Sequence, residues 1–354
     1  MRLYTQSFEQ PAQVVFAIDD VIPSTLNHLR CGVAYISLAG CNCLDSRVEA
    51  RIGSNRWSVC LKETVTCFDY GFTEPEALEH LLARGDDVRI ADVSVLDRPQ
   101  LRPRRAFHPK LLLFDGADST GFVLGSANLT AAALSRNTEV VAAGIATVDR
   151  EDWTQAWSVI SAGSSILTAD LLARYKSVRP RVPAPDPPLD PPVQPGVSDI
   201  VSFWAAITAG TVIPSRYECF WVQAGAMSSG GSRNQLELPR GCNIFFGFSF
   251  QQYDDHHVVI GFPELSSRGS SRHDRRLTWH GNNRMERINL PTVAQGGFWY
   301  PQTVVLFRRR RNSFELHVVA WDDPLSLAWR EASSAKGTLF RVGEQGSTRL
   351  CGLI

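Results

Sequence analysis

The first half of the chain alternates between short apolar runs of strand length and longer amphipathic stretches of helical period. Residues 14–16, 32–38 and 57–59 read as strand segments, and 88–95 as another. Thr73-Glu74-Pro75-Glu76 has the form of a capping box with proline in the first turn, so a helix is expected over 75–84, stopped by Gly85. Two apolar strands, around 111–114 and 121–124, precede a short helix at 131–134. A strand follows at 140–143 with Glu139 at its start, and helices at 151–160 and 169–176 close the pattern. This order predicts an α/β sandwich.

Proline dominates residues 178–197, which excludes a helix or sheet interior and favours a stiff, extended spacer. Beyond it, short β-type runs prevail at 218–223, 243–250, 257–260, 302–307, 314–320 and 337–342, after an entry helix within 198–209. They predict a small, partly closed β-barrel with little helix. The expected organisation is a domain at 1–176, a linker at 177–198 and a domain at 199–354, each domain of ordinary size.

Charge changes this picture little in total but more in its distribution. Lys plus Arg and Asp plus Glu both number 36, so a strongly basic nucleic-acid binder is not indicated globally. Only four lysines occur (Lys62, Lys110, Lys176, Lys336), and much of the arginine lies after residue 230. Arginine bias fits a GC-rich genome, and arginine is also the side chain best suited to guanine and phosphate. The polar start at residues 1–10 predicts no signal peptide, and no apolar run approaches the roughly 20 residues of a membrane helix. The eight cysteines include one close pair, Cys41 and Cys43, and no CxxC, so buried free thiols of a cytosolic protein are expected rather than a zinc site.

The chemistry concentrates in one region. His108 and Lys110 lie two apart, which puts both on one face of a strand. Leu111–Phe114 then enters a core and stops at Asp115, and the next apolar strand ends at Gly125-Ser126, where small residues let a backbone approach an anion. Asn128 and Glu139 follow. A phosphodiester needs its oxygens neutralised, a nucleophile and an acid for the leaving group. Lys110 supplies charge, Ser126 and Asn128 supply donors, and His108 supplies a nucleophilic imidazole that Glu139 is placed to orient. Asp115 reads as structural, since a buried strand separates it from Lys110. Metal-dependent nuclease cores need an acidic residue two before a lysine; here those positions hold Cys60, His108, Arg174 and Ser334. Asp254-Asp255-His256-His257 reads as a turn entering a strand, with a metal site as the alternative.

The run His108, Lys110, Asp115, Gly125, Ser126, Asn128 resembles the H-x-K-x4-D…G-S-x-N signature of the phospholipase D superfamily. Its gap between Asp115 and Gly125 is longer than in lipid-acting members and suits nuclease-type relatives. The resemblance implies a phospholipase D-like sandwich, a phosphohistidine at His108, no metal, and two motifs per active site. The chain carries a single H-x-K, so a homodimer with two motifs facing across a two-fold axis is expected.

Two polar arms mark the second domain: Ser229 through Arg233, Asn234 and Gln235, and residues 264–276 with Arg268, Arg272, His273 and Arg275. These side-chain types read base edges and phosphates. Arg308 to Arg311 reads as a hairpin tip, either a phosphate clamp or a solvated turn. The domain order and the G-G-S-x-N-Q arm together resemble the BfiI and NgoFVII group of restriction endonucleases. That resemblance implies a B3-like pseudobarrel and double-stranded DNA as substrate. It also implies a prokaryotic cytoplasmic protein, with a helicase-like ATPase subunit (the route for any ATP) and a cognate DNA methyltransferase as partners. The alternatives are a nonspecific phosphodiesterase of the superfamily and a DNA-targeting subunit.

Overall fold

A computed structural model of the protein describes residues 1–146, 150–179, 200–227, 234–343 and 348–354. Its contacts divide the chain into Met1–Asp190 and Pro191–Ile354. Most of the proline-rich segment, and Ser229 and Arg233 of the first arm, lie outside the described residues.

The first unit runs β1 (Arg2–Gln6), α1 (Gln13–Val21), β2 (His28–Val33), α2 (Leu38–Ile52), α3 (Ser54–Val59), β3 (Leu61–Thr66), α4 (Pro75–Arg84) and β4 (Asp87–Ile90). It continues with β5 (Lys110–Asp115), β6 (Thr120–Gly125), α5 (Ala131–Ser135), β7 (Glu139–Ala146), α6 (Arg150–Ser161), β8 (Ser165–Ile166) and α7 (Ala169–Val178). All eight strands form one sheet in the order β1-β7-β6-β5-β2-β3-β4-β8. The β2–β3 and β3–β4 pairs are parallel and the rest antiparallel. The mixed α/β architecture matches the sequence pattern.

Helix α1 packs on β6 and β7 and touches α2 and α5. On the opposite face α6 packs on β2 so closely that a β-carbon on Gly32 would lie 2.8 Å from Ile160. Leu111, Leu113 and Phe122 form a small cluster with Trp153 and Ile160 on that face.

Two expected strands are helices. Residues 14–16 belong to α1, where Val14 through Ile18 are all buried; a helix covered almost all round shows the same unbroken apolar run as an inner strand. Residues 57–59 end α3, which buries Trp57 against the Lys62 ammonium (4.4 Å from the ring centre) and the Arg84 guanidinium (5.1 Å). The strand begins two residues later, where β2 offers a ladder. Helix α4 and its Gly85 stop are as expected, with Gly85 at φ 89°. Its capping box is not formed: Glu74 is the N-cap and its carboxylate accepts instead from the Leu38 amide of α2 at 2.7 Å.

The second unit contains α8 (Phe203–Thr208), β9 (Cys219–Gln223), β10 (Gln235–Leu238), β11 (His257–Gly261), β12 (Leu265–Ser267), β13 (Ser270–Arg272), β14 (Leu277–His280) and β15 (Met285–Asn289). Strands β16 (Thr303–Arg309) and β17 (Phe314–Ala320), helix α9 (Pro324–Ala335), β18 (Leu339–Arg341) and β19 (Leu350–Leu353) complete it. Among the described residues the strands form two open sheets instead of one barrel, β10-β15-β14-β11 and β13-β12-β17-β16-β9-β19-β18. Leu236, Leu277 and Ile288 of the first share one apolar core with Phe220, Val305, Phe307 and Leu353 of the second.

The strand expected over 243–250 is absent. A 3-10 turn spans Cys242–Ile244, and Phe245 and Phe246 drop from it into the core. The buried Glu286 carboxylate sets this geometry by accepting from the amides of Gly241 (2.8 Å) and Asn243 (2.6 Å) and from Asn243 Nδ2 (2.8 Å). Burial pushes Glu286 up to about 7, with these hydrogen bonds opposing it.

Glu286→Ala therefore strands two buried amide donors and should cost about 2–5 kcal/mol in denaturant unfolding. The folded acid titrates higher than the unfolded one, so the native state binds the extra proton between pH 4.5 and 7, and stability falls as pH rises through that window. Glu286→Gln should flatten that slope in unfolding curves recorded across the same pH range.

Candidate active site

Antiparallel pairing brings the start of β5, the end of β6 and the start of β7 to one edge of the eight-stranded sheet. That edge gathers His108, Lys110, Ser126, Asn128 and Glu139, residues spread over 32 positions of sequence. Val33 of β2 pairs with Lys110, and the Ala34 amide donates to the Pro109 carbonyl at 3.1 Å, which locks the His108–Lys110 segment to the sheet.

Gly125 allows the next step. A β-carbon there would lie 2.3 Å from the Val140 carbonyl oxygen and 2.7 Å from Val141 Cα, so β7 passes where a side chain would sit. Ser126 then closes the ladder. Its amide donates to Val140 O (3.1 Å) and its Oγ accepts from the Val140 amide (3.0 Å) while donating to the Glu139 carboxylate. Asn128 is held by the Tyr35 amide, which donates to its Oδ1 at 3.3 Å and leaves Nδ2 as the donor for a ligand. The following Leu129 pairs with residues 35–37, and this close docking needs Gly40, whose β-carbon would meet Leu129 O at 2.2 Å.

The Lys110 ammonium lies 2.7 Å from His108 Nδ1 and 3.1 Å from Nε2. Burial lowers the Lys110 pKa from its ordinary value, and the Glu139 carboxylate opposes that shift. His108 and Ser126 are exposed, Lys110 and Asn128 half-buried, and Glu139 buried. An exposed imidazole beside a cation and the Asn128 amide donor is a cradle for a phosphate-type anion with a nucleophile at its rim.

Glu139 differs from expectation: in the single chain it bonds Ser126, and Tyr35, edge-on to His108 with ring centres 6.1 Å apart, flanks the imidazole instead. Asp115 sits at the far end of β5 and on the other sheet face. There Arg30 clamps it through Nε (2.8 Å) and Nη2 (3.1 Å), and Thr120 donates to it at 2.7 Å. Its role is structural, as its place in the sequence implied.

Sequence reading missed an aromatic ledge beside His108. Tyr35 meets Phe72 edge-on at 5.2 Å, and Tyr70 lies 6.0 Å from Phe72. Phe72 is 51% and Tyr70 40% exposed, and Tyr70 holds a left-handed backbone at φ 58°. The signal was present as Tyr70-Gly71-Phe72, two aromatics around a turn glycine.

In the second unit the arm at 264–276 is an ordered hairpin, β12–β13, with Arg268 and Gly269 at its tip. Arg268 lies over the Phe298 ring at 4.7 Å; Ser270, Ser271 and His273 are exposed. Arg275 is buried, paired with Asp274 and donating to Gln295 at 3.1 Å, so it supports the hairpin and does not project from it. Arg272 reaches Gln295 O at 3.4 Å. Asn234 spends its amide on Leu290 O (2.7 Å), and Gln235 bonds Asn289 at 3.4 Å. The hairpin at 308–311 is present, but Arg308 is fully buried beside Glu218, Arg309 donates to Phe245 O (2.6 Å) and Arg310 pairs with Glu315. Among the described residues, no group of three His, Cys, Asp or Glu gathers with metal-ligand geometry, and Asp254 to His256 forms an exposed turn before β11. No described helix is long and apolar enough to cross a membrane.

No family model and no curated protein sequence matches the chain. Among solved structures it is similar to NucT from Helicobacter pylori, at 14% identity and a TM-score of 0.34 over 47% of this chain and 98% of that one. It is similar to Nuc from Salmonella typhimurium, described as a phospholipase D family member, at 14% identity and 0.34 over 48% and 97%. It is also similar to yeast tyrosyl-DNA phosphodiesterase, at 12% identity and 0.28 over 42% and 34%.

Gly125→Ala forces a β-carbon into the β7 backbone. It should destabilise the chain by about 1–3 kcal/mol in thermal unfolding, while Gly85→Ala, where no atom lies within 4 Å, should cost only the strain of its left-handed backbone.

Proposed function

We propose that this chain is a metal-independent phosphodiesterase of the phospholipase D superfamily, and that it cuts double-stranded DNA sequence-specifically in the manner of the BfiI and NgoFVII restriction endonucleases. The observation that carries the reading is the convergence of His108, Lys110, Ser126, Asn128 and Glu139 at one sheet edge.

In this mechanism the non-bridging oxygens sit against the Lys110 ammonium and Asn128 Nδ2, while Ser126 ties Glu139 to the site. A ring nitrogen of His108 attacks phosphorus, forming an N–P bond as the P–O bond to the leaving strand breaks. A second imidazole protonates the departing oxygen. Water then attacks phosphorus with that second imidazole as base, the N–P bond breaks, and free His108 returns.

One chain has one such histidine, so the second comes from the partner subunit's His108 across a two-fold axis. The α6 side of the sheet supports such an arrangement. Leu3, Leu124 and Val140, 63%, 38% and 45% exposed, line an uncovered apolar strip beside Ser126, with Leu3 and Leu124 both opposite Ala142 in register. A second copy covering this strip would remove its apolar surface from water.

Target reading is assigned to the β12–β13 hairpin through Arg268, Ser270, Ser271 and His273, with Arg233 and Ser229 of the first arm. A two-stranded ribbon of this kind fits a major groove. In this reading any use of ATP belongs to a separate helicase-like ATPase subunit, a cognate DNA methyltransferase protects the host target, and the enzyme works in a prokaryotic cytoplasm.

Purified protein should cut a long unmethylated duplex into discrete fragments in excess EDTA, and His108→Ala should abolish cutting while DNA binding changes by only a few-fold. A His108 variant that still cuts would sink the mechanism. The same assay checks two companions. Leu124→Glu should convert dimer to monomer in light scattering and lose cleavage. Because burial lowers the Lys110 pKa, the alkaline limb of the rate should begin below pH 10.5, and Lys110→Arg should shift that limb upward.

A further inference from the structure

We infer that Tyr70, Phe72 and Tyr35 form a stacking platform for a nucleobase next to the scissile phosphate, displaced from its stack in the duplex or held in a single strand. This rests on the phosphodiesterase reading and adds to it a substrate-positioning site.

The ledge has the geometry such a platform needs. Tyr35 touches both His108 (6.1 Å) and Phe72 (5.2 Å), so the aromatic surface starts at the nucleophile and runs outward through Phe72 to Tyr70. Its outer members are the exposed ones, although large aromatics are ordinarily buried. Tyr70 is kept outward in a left-handed conformation that costs a non-glycine residue about 1 kcal/mol or more. The turn is rigid beneath it. Buried Asp69 accepts from the Phe107 amide at 3.1 Å, which ties the turn to the segment leading to His108.

Charge identifies the occupant. The segment pinned to this turn exposes Arg102, Arg104 and Arg105 within the six residues before His108. Exposed aromatics on a turn bonded to an arginine-bearing segment suit a ligand that alternates flat rings with phosphates, which is a nucleic-acid strand. An apolar protein partner has no use for the arginines. The uncovered strip assigned to the second copy lies on the other side of the site, across β6 and β7, so the two surfaces do not compete.

The test uses the full chain carrying His108→Ala, so that bound DNA is not consumed, and short single-stranded oligonucleotides with 2-aminopurine or an abasic unit stepped along them. We expect quenching of 2-aminopurine at one position. An abasic unit there should weaken binding about 5–100-fold, the range for loss of one stacked base. Adding Phe72→Ala should remove both the quenching and the discrimination, and Phe72→Leu, which keeps the apolar contact with Tyr35 should the alanine variant fold poorly, should also remove the quenching. Affinity indifferent to the abasic unit at every position overturns the inference, as does a drop from dimer to monomer in Phe72→Ala, which would make the ledge a self-association surface. The two readings fail separately: cutting in EDTA without quenching keeps the nuclease and rejects the platform, whereas quenching by a wild-type protein that never cuts keeps the platform and rejects the nuclease.

Discussion

The Val140 carbonyl oxygen stands where a side chain on residue 125 would have to be, and the candidate site depends on that contact. Because residue 125 is glycine, β6 and β7 remain paired to their ends, and the register delivers Ser126 onto Glu139 and the Val140 amide. The same register, carried through Leu111 opposite Leu124, sets Lys110 beside them, and β2 holds Lys110 from the other side. A one-residue slip of β5 would turn Lys110 to the α6 face, and one between β6 and β7 would part Ser126 from Glu139.

Charge in this protein is mostly committed to holding the fold. Arg30 and Asp115 neutralise each other inside the first unit, as do Arg84 and its two aspartates, Asp45 and Asp86. In the second unit, Arg308, Arg309, Arg310 and Arg275 all serve local carboxylates or carbonyls. Buried pairs of this kind are costly to break singly, and they leave fewer cations for a ligand than the composition suggests. Arg102, Arg104 and Arg105 before His108, and Arg268 at the hairpin tip, are among the arginines that stay exposed.

The first unit leaves two surfaces uncovered on opposite flanks of its site, an apolar strip of sheet and an aromatic ledge. Their chemistry differs in the way their proposed occupants differ. Aliphatic side chains on a flat sheet face match another sheet or helix face, whereas rings near guanidinium groups match bases near phosphates. The exposed face in turn follows from topology: α1 covers one side of β6 and β7, while on the other side α6 reaches β2, β5 and Phe122 of β6 and leaves Leu124 and Val140 exposed.

The sequence by itself determined that His108, Lys110, Ser126, Asn128 and Glu139 lie on one strand–loop–strand unit, because alternation and turn residues are local properties that survive in one dimension. It also determined α4 with its Gly85 stop, the β16–β17 hairpin and the structural place of Asp115. Tertiary structure alone decided that residues 14–16 and 57–59 coil, since an unbroken or alternating apolar run carries no information on which neighbour covers it. The sequence carried the α9 signal, Asp323 capping Leu325 ahead of Pro324, yet a mainly β pattern around it concealed the helix. Burial decided the rest. Whether an arginine reaches out or turns inward depends on a carboxylate distant in sequence, as Glu218 is from Arg308, and whether aromatics such as Phe72 stay exposed depends on which helices fail to cover them.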